Sequence, residues 1–173
     1  MAEIMNPLVV WADRINHHLG RIISFLLLPI TFITAFEVFM RYILKSPTIW
    51  AWDLNIQLSA ALILLGGGYT LKENGHVAVD ILVMDMDKRR RAILDLITAP
   101  FFFFGFMILL IYGWEIGWSS FQAREAMPTV WAPHYYPIKL LIPVGALLML
   151  LQGVAKLIRD LVLVFYSENG GNS

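Results

Sequence analysis

The stretch that decides the fold is Phe36 to Asp80, which reads FEVFMRYILKSPTIWAWDLNIQLSAALILLGGGYTLKENGHVAVD. Two long apolar runs meet here across a short polar break, KSPT, at positions 45–48. A charged side chain at the centre of a spanning helix costs roughly 2.5–3.5 kcal/mol on insertion scales. We therefore expect the polar groups beside the break to face protein, or to lie shallow enough to reach headgroups and water. We also expect the rest of the chain to be built around this hairpin.

The composition is that of an integral membrane protein. The chain has 173 residues, of which 58% are hydrophobic and 15% charged, and charged residues make up about 25% of ordinary soluble domains. Its mean hydropathy is +0.67. A spanning helix needs about 20 apolar residues, and four such runs occur, at 22–43, 50–71, 93–121 and 137–165. The sequence predicts an all-α membrane fold with four transmembrane helices in a single membrane domain, 1–173, and no soluble catalytic domain.

The first apolar run is expected to remain as a membrane anchor. It is too long for a cleaved signal peptide, and the charged Glu37 and Arg41 follow it without a small-residue cleavage site. Pro29 within this run predicts a local bend, because proline removes a helical hydrogen bond.

A short amphipathic helix is predicted ahead of the first span, over residues 7–19. Asn6 and Pro7 form a typical helix start, with asparagine as the cap and proline at the first helical position. Such a helix is expected in the membrane interface, with Trp11 at headgroup depth; a frayed leader is the alternative. Apolar residues at three- and four-residue steps form one face: Leu8, Trp11, Ala12, Ile15 and Leu19. The other face carries polar residues: Asp13, Arg14, Asn16, His17 and His18.

The polar residues beside the KSPT break are candidates for a structural or interface cluster. Glu37 and Arg41 are one helical turn apart and can pair. Asp53, Asn55 and Gln57 enter the second span at the depth where that pair leaves the first. A local ion pair that reaches the headgroups is the simpler alternative.

Glycines mark two places where helices could approach closely. Gly66, Gly67 and Gly68 lie near the far end of the second span, and Gly113 and Gly117 form a small-xxx-small pair in the third.

The distribution of lysine and arginine predicts the topology. Nine of these residues fall on one side of the predicted spans and four on the other, which places both termini in the cytoplasm. The polar cluster and the 122–136 connection then lie toward the outer face. Lys88, Arg89, Arg90 and Arg91 are interpreted as a topology and anionic-lipid signal.

Several kinds of chemistry have no signal in this sequence. The chain has no cysteine and a formal net charge of zero, which argues against thiolate chemistry and against a nucleic-acid partner. Nucleotide, zinc-protease and hydrolase motifs do not occur. The four histidines lie outside the spans or at their ends, unlike the axial ligands of a haem anchor. Glu37, Asp53 and Glu115 lie near one end of the spans rather than along a path across them, so we expect neither a conduction path nor a cofactor.

Several segments carry a family resemblance that covers nearly the whole chain. They are Glu37–Tyr42 (EVFMRY), Trp50–Leu54 (WAWDL), Gly75–Asp80 (GHVAVD), Arg89–Arg91, Tyr135–Lys139 (YYPIK) and Gly153. In this order and spacing they resemble the small membrane subunit of tripartite ATP-independent periplasmic (TRAP) transporters, the DctQ family. Asp53 departs from the family, which often has glutamate at that position.

The resemblance implies a role in sodium-coupled uptake of organic acids across the bacterial inner membrane. A periplasmic binding protein would capture the substrate, and a large membrane subunit would hold the substrate and sodium sites. The present chain would pack on the scaffold of the large subunit and enlarge it, with no substrate site and no enzymatic activity. It would contact phospholipids as well. Five residues of the outer connection are candidates for docking the binding protein: Arg124, Trp131, His134, Tyr135 and Tyr136. An ordinary interfacial aromatic belt is the alternative for them.

Two other classes of protein remain open from the residues alone. One is a stand-alone four-helix transporter or channel subunit, which would need a continuous polar path after self-association. The other is a haem- or quinone-binding anchor of a respiratory enzyme, and an absorbance spectrum of the purified protein would decide the haem version.

Overall fold

The computed structural model describes residues 7–73 and 88–169, and this part of the chain is almost entirely helical. Four segments are long and apolar enough to cross a membrane, namely Val9–Tyr42, Ala51–Lys72, Arg90–Gln122 and Tyr136–Phe165. The predicted all-α membrane fold with four spans is therefore confirmed. The helices are α1 (Pro7–Ser24), α2 (Leu27–Tyr42), α3 (Ala51–Lys72), α4 (Lys88–Gln122) and α5 (Tyr136–Asn169).

The first span differs from the predicted 22–43 because the helix is interrupted at Phe25 and Leu26. Pro29 has no N–H, so the carbonyl of Phe25 has no helical donor four residues further on. It accepts instead from the N–H of Leu28, at 3.2 Å. The predicted helix 7–19 consequently continues through Ser24, and α2 starts only at Leu27. The position of α1 relative to the membrane surface stays a prediction.

The other three candidate spans are Ala51–Lys72, Arg90–Gln122 and Tyr136–Phe165, where the sequence predicts 50–71, 93–121 and 137–165. The helices that contain the last two extend beyond these spans, since α4 is described from Lys88 and α5 continues to Asn169.

The helix at the centre of the bundle is α5, not the hairpin that the sequence suggested. Three other helices pack against α5, namely α1, α3 and α4. Its middle supplies more of the buried apolar side chains than any other described helix does, namely Ala146, Leu148, Met149, Leu150 and Ala155. By contrast, α2 packs mainly on α3. Residues 74–80, the end of the predicted organising stretch, lie outside the described residues.

Glycines bring the backbones of α3, α4 and α5 together. A Cβ on Gly145 of α5 would lie 2.5 Å from the carbonyl oxygen of Leu64 in α3. On α4, Gly113 and Gly117 face α5, where added Cβ atoms would come within 2.8 Å of Ile142 and 3.0 Å of Leu140. The small-xxx-small pair thus lies at a close helix contact, and a larger residue at either position would require the side chain of Ile142 or Leu140, or the helix that carries it, to shift.

The bundle has two chemically distinct ends. The loop end comprises the connections 43–50 and 123–135, which meet where α3 begins. The terminal end comprises the end of α3 at Lys72, the start of α4 at Lys88 and the part of α5 from Gln152 onward. The sequence predicts that the loop end faces outward.

Candidate functional site

Glu37 ties the end of α2 to the connection that follows it. Its Oε1 accepts hydrogen bonds from Nε and Nη2 of Arg41, at 3.1 and 2.7 Å. Its Oε2 accepts from the backbone N–H and the hydroxyl of Thr48, at 3.1 and 2.5 Å. The one-turn spacing of Glu37 and Arg41 places the two on one face, and Thr48 completes the hydrogen bonding of the carboxylate. Thr48 could not be predicted as a partner of Glu37, because it reaches the carboxylate only through the path of the 43–50 connection.

Asp53 belongs to a separate contact. Its side chain is only 1% exposed, and its Oδ2 accepts a hydrogen bond of 2.6 Å from the hydroxyl of Thr129. The same hydroxyl accepts from the N–H of Ala132 at 3.2 Å. Asp53 also lies in the first turn of α3, where the unpaired N–H groups favour a negative charge. Within the described residues no hydrogen bond or ion pair joins Asp53 to Glu37 or Arg41, so these three residues do not form one hydrogen-bonded group.

Asn55 and Gln57 connect α3 to different neighbours. Nδ2 of Asn55 donates to the hydroxyl of Thr34 in α2, at 3.0 Å. Oδ1 of Asn55 is buried, and no group among residues 7–73 and 88–169 donates a hydrogen bond to it. Nε2 of Gln57 lies 3.8 Å from the sulfur of Met127, a weak acceptor. The role of these residues at a subunit interface stays a prediction.

The connection 123–135 folds back on itself as a short hairpin-like loop. The N–H of Met127 donates to Pro133 and the N–H of Tyr135 to Glu125, both at 2.8 Å. Lys139 of α5 donates to Glu125 at 2.5 Å, and this hydrogen bond lowers the pKa of the Glu125 carboxyl below its ordinary value. The loop is thus fixed to α5 rather than free of the bundle.

The five candidate docking residues fall into two groups. Arg124, Trp131 and His134 are exposed at the loop end. Tyr135 and Tyr136 are half-buried and engaged within the chain. The ammonium of Lys139 lies 4.8 Å from the ring centre of Tyr135, and the ring of Tyr136 lies 5.3 Å from that of His134. Sequence reasoning missed Val130, which is 85% exposed beside Trp131.

A second polar site, at the terminal end, was not predicted. Asn16 of α1 and Gln152 of α5 are each 1% exposed, and Nδ2 of Asn16 donates to Oε1 of Gln152 at 2.8 Å. Nε2 of Gln152 donates to Oδ1 of Asp13 at 2.9 Å. The same oxygen pairs with Arg159 at 2.6 Å. This network fastens α1 to the last helix of the bundle.

The buried stripe of α1 also corrects the predicted helix faces. Asn16 was assigned to the polar, solvent-facing side, but its Oδ1 lies directly over Gly68 of α3, where a side chain would collide with it. Trp11 is 67% exposed and so does not face the bundle, which leaves its predicted place at headgroup depth a prediction. The residues that do face the bundle follow three- and four-residue steps: Val9, Ala12, Asn16, Gly20 and Ile23. Two features of the sequence could have indicated that α1 packs on the bundle. One is the small residues at that spacing, and the other is the polar Gln152 within an apolar span.

The basic segment at the start of α4 is described only in part. Lys88 and Arg89 belong to the first turn of that helix, and their side chains lie outside the described residues. Arg90 is exposed and Arg91 is half-buried. One turn further on, Asp95 forms an ion pair of 2.9 Å with Lys156 of α5. Neither the lipid role of the basic segment nor the headgroup depth of Trp11 is tested by these positions.

The described polar side chains join helices and loops to one another. No group of three or more histidine, cysteine or carboxylate side chains placed to hold a metal ion occurs among the residues that the structure covers. A bundle with an apolar middle and polar contacts at both ends is a multi-pass membrane protein. The profile of the family described as "Tripartite ATP-independent periplasmic transporters, DctQ component" matches residues 30–163, and the chain belongs to this family. The family is a transporter component and not an enzyme, as predicted.

A curated relative agrees with this assignment. A protein of Vibrio cholerae serotype O1 (strain ATCC 39315 / El Tor Inaba N16961), named "C4-dicarboxylate TRAP transporter small permease protein DctQ", is 26% identical over 120 residues. The aligned region is 67% of this chain and 51% of the relative, so the chain spans about half the length of the curated relative it matches.

Proposed function

We propose that this chain is the small membrane subunit of a sodium-coupled TRAP importer of organic acids in the bacterial inner membrane. It packs on the scaffold of the large membrane subunit and widens the footprint of that scaffold in the bilayer. The substrate and sodium sites belong to the large subunit. The family match over residues 30–163 is the observation that carries the proposal.

The outer surface of the bundle supports a role as a membrane-embedded support. Large apolar side chains are exposed along both outer helices, α2 and α4, as in Phe32 at 72% and Phe101 at 79%. Such side chains are stable only against lipid or against another membrane protein. A four-span chain with so much apolar surface adds area to whichever protein it binds.

Two cavities among the described residues do not suit an organic acid. A cavity of about 80 Å³ lies between α4 and α5, against roughly 300–1,000 Å³ for typical ligand sites. A groove of about 670 Å³ between α2 and α3 is large enough, but Arg41 is the only cation among its lining residues. Arg41 is already paired with Glu37. A dicarboxylate would find no free positive charge in this groove.

The loop end offers a surface for the periplasmic binding protein. Arg124, Val130, Trp131 and His134 are exposed on one loop that is held in place by Glu125 and Lys139. Arginine and tryptophan are enriched at protein–protein hot spots. The proposal assigns this loop an auxiliary role in docking, in support of the large subunit.

The test is a pull-down of the tagged chain from its native membrane in mild detergent, followed by mass spectrometry. We expect the large TRAP membrane subunit in stoichiometric amount. Proteoliposomes containing that subunit and the binding protein should then show sodium-dependent uptake that falls when the small subunit is left out. A homo-oligomer without a large partner, or unchanged uptake without this chain, would contradict the proposal.

A further inference from the structure

The outward face of α1 carries two arginines that no acidic residue neutralises. Arg14, His18 and Arg21 recur at three- and four-residue steps and are all exposed, on the side of the helix opposite its buried stripe. Asp13 is the only acidic residue of α1, and it is paired with Arg159 of α5 at 2.6 Å. Within the described part of the chain, neither Arg14 nor Arg21 forms an ion pair. This face therefore presents positive charge to whatever lies beside it.

The guanidinium of Arg21 is held in place without losing its charge. Its Nη2 lies 3.0 Å from Nε2 of His17, one turn earlier on the same helix. Because an arginine is always protonated, Nη2 donates this hydrogen bond and the imidazole nitrogen accepts it. A neutral imidazole leaves the charge of the guanidinium intact, whereas a carboxylate would cancel it. Arg21 is thus positioned in advance, so less side-chain freedom remains to be lost when an anion binds.

Large apolar side chains lie at both ends of this face. Trp11 is 67% exposed on one side of the two arginines, and Ile22 and Phe25 are 66% and 65% exposed on the other. Basic residues next to exposed aromatic and aliphatic residues are typical of helices that lie at the boundary between headgroups and acyl chains. The face therefore suits a partner that is anionic at one depth and apolar at the next.

The contacts of α1 place this face at the level of the headgroups. With 22 residues, α3 is about 33 Å long, close to the roughly 30 Å of the hydrocarbon core, so its end at Lys72 lies near the boundary of that core. Gly20 of α1 packs against Tyr69, three residues before this end. From there α1 runs toward the terminal end, where Ala12 shares an apolar cluster with Ala155 of α5. The headgroup layer adds about 5–7 Å on each side of the core, which is where the basic face falls.

We propose that the outward face of α1 binds the phosphate groups of anionic phospholipids in the leaflet at the terminal end. Arg14 and Arg21 are seven residues apart, ~10 Å along the helix axis, so each can take a phosphate of its own. Guanidinium groups recognise phosphate oxygens through two parallel hydrogen bonds. Trp11 and Phe25 extend beside the acyl chains. This site lies on a different helix from the basic segment of α4, and it goes beyond the proposed function because it requires no large membrane subunit.

The experiment is site-specific photo-crosslinking of the full-length chain, in the assembly that copurifies with it. The assembly is reconstituted into vesicles of phosphatidylethanolamine and phosphatidylglycerol in equal amounts. Trp11→p-benzoylphenylalanine places the probe beside the arginines, and mass spectrometry identifies the adducts. Both lipids contain a phosphate, but only phosphatidylglycerol has a net negative charge. We expect its adducts to exceed those of phosphatidylethanolamine by about fivefold or more, which corresponds to about 1 kcal/mol per arginine.

Charge variants show whether the arginines cause this excess. Arg14→Gln/Arg21→Gln should bring the two adducts to within about twofold of each other, while Arg14→Lys/Arg21→Lys should keep most of the excess because it keeps the charge. Lys45→Gln/Arg124→Gln is the matched control, since it removes two exposed cations at the loop end, and it should change nothing at position 11. Unfolding temperatures show whether each variant is folded. If the double glutamine variant is not, Arg14→Gln alone should still lower the excess by at least about twofold.

Three results would overturn the proposal. Equal adducts of the two lipids in the otherwise wild-type chain would show that charge is not recognised. An excess of phosphatidylglycerol that survives the glutamine substitutions, or is lost equally in the loop-end control, would mean that the two arginines are not its cause. Adducts to a protein chain instead of lipid would make this face a protein interface. Each result can be obtained whether or not a large TRAP subunit copurifies, so the proposed function is tested separately.

Discussion

At the scale of single residues, the loop end depends on contacts between positions far apart in the chain. Asp53 and Thr129 are 76 positions apart and form one hydrogen bond of 2.6 Å. Because Asp53 is almost completely buried, the loss of its donor would leave a carboxylate with neither water nor a partner.

We therefore expect Thr129→Val to lower the free energy of unfolding by about 1–3 kcal/mol. Asp53→Asn should also be destabilising, and the double variant should cost less than the sum of the two. Equilibrium unfolding in mixed micelles measures all three. Thr70→Val is the control, since the Thr70 hydroxyl is exposed and bonds only within its own helix. Additive effects of the two substitutions would show that the residues are not coupled.

The Glu125–Lys139 pair predicts a dependence on pH. The pKa of Glu125 is lowered in the folded chain by the hydrogen bond from Lys139. A lowered folded pKa gives stability that is present above the ordinary carboxyl pKa of 4.5 and is lost as the pH falls through the folded value. Wild type should thus exceed Glu125→Gln in unfolding temperature at pH 7, and the difference should vanish toward pH 3. A difference that persists at pH 3 would exclude this cause.

Sequence reasoning reached only part of this detail. The pairing of Glu37 with Arg41 follows from their spacing on one helix, and this spacing can be read directly from the sequence. The partners Thr48 and Thr129 depend on how two loops fold over the helix ends, and loop paths are not encoded in hydrophobic periodicity. Asp53 is grouped with Glu37 and Arg41 by the sequence because the three are expected at a similar depth in the membrane. In the structure Asp53 instead accepts a hydrogen bond from the hydroxyl of Thr129 in the 123–135 connection.

At the scale of elements, the close contact of α3 with α5 depends on a backbone position without a side chain. A Cβ on Gly145 would clash with the carbonyl oxygen of Leu64. That oxygen belongs to the backbone of α3, so it cannot move away by a change of rotamer as a side chain could. Gly66, on α3 itself, has open space around it.

Gly145→Ala should therefore force α3 and α5 apart and destabilise the bundle by about 1–3 kcal/mol, the usual cost of overpacking. Gly66→Ala should be neutral or stabilising by up to about 1 kcal/mol, because alanine is the better helix former. Unfolding temperatures of the two purified variants provide the comparison. Equal effects would mean that the loss of glycine, and not the contact, decides the outcome.

The elements themselves were largely predictable, and their packing was not. Four apolar runs of sufficient length stand out in the sequence, and Pro29 predicts the interruption of the helix before α2. The docking of α1 was missed because a pattern based on hydrophobicity counts Asn16 and Gly20 as outward-facing. In the structure these two residues face α3, where a small or hydrogen-bonding residue fits better than a large apolar one.

At the scale of the whole molecule, the orientation in the membrane can be tested directly because the chain contains no cysteine. Val130→Cys adds a thiol at the loop end and Glu73→Cys adds one at the terminal end, both at exposed positions. The excess of lysine and arginine on the terminal side predicts that end in the cytoplasm. In spheroplasts, a membrane-impermeant maleimide should label position 130 at once and position 73 only after lysis. The reverse pattern would invert the topology.

The central place of α5 has a consequence for how the chain is made. Of the described helices, α5 is synthesised last, yet α1 and α3 depend on it for burial. Asn16 and Gln152 are 136 positions apart, and at about 5–20 residues per second the ribosome needs on the order of 10 s to bring the second after the first. During that interval the amide of Asn16 has the carbonyl of Ala12 in its own helix as a partner but lacks the contact to Gln152. A nascent chain that stalls before α5 would expose that amide and the bare backbone of Gly68, which distinguishes an unfinished subunit from a finished one before any partner is met.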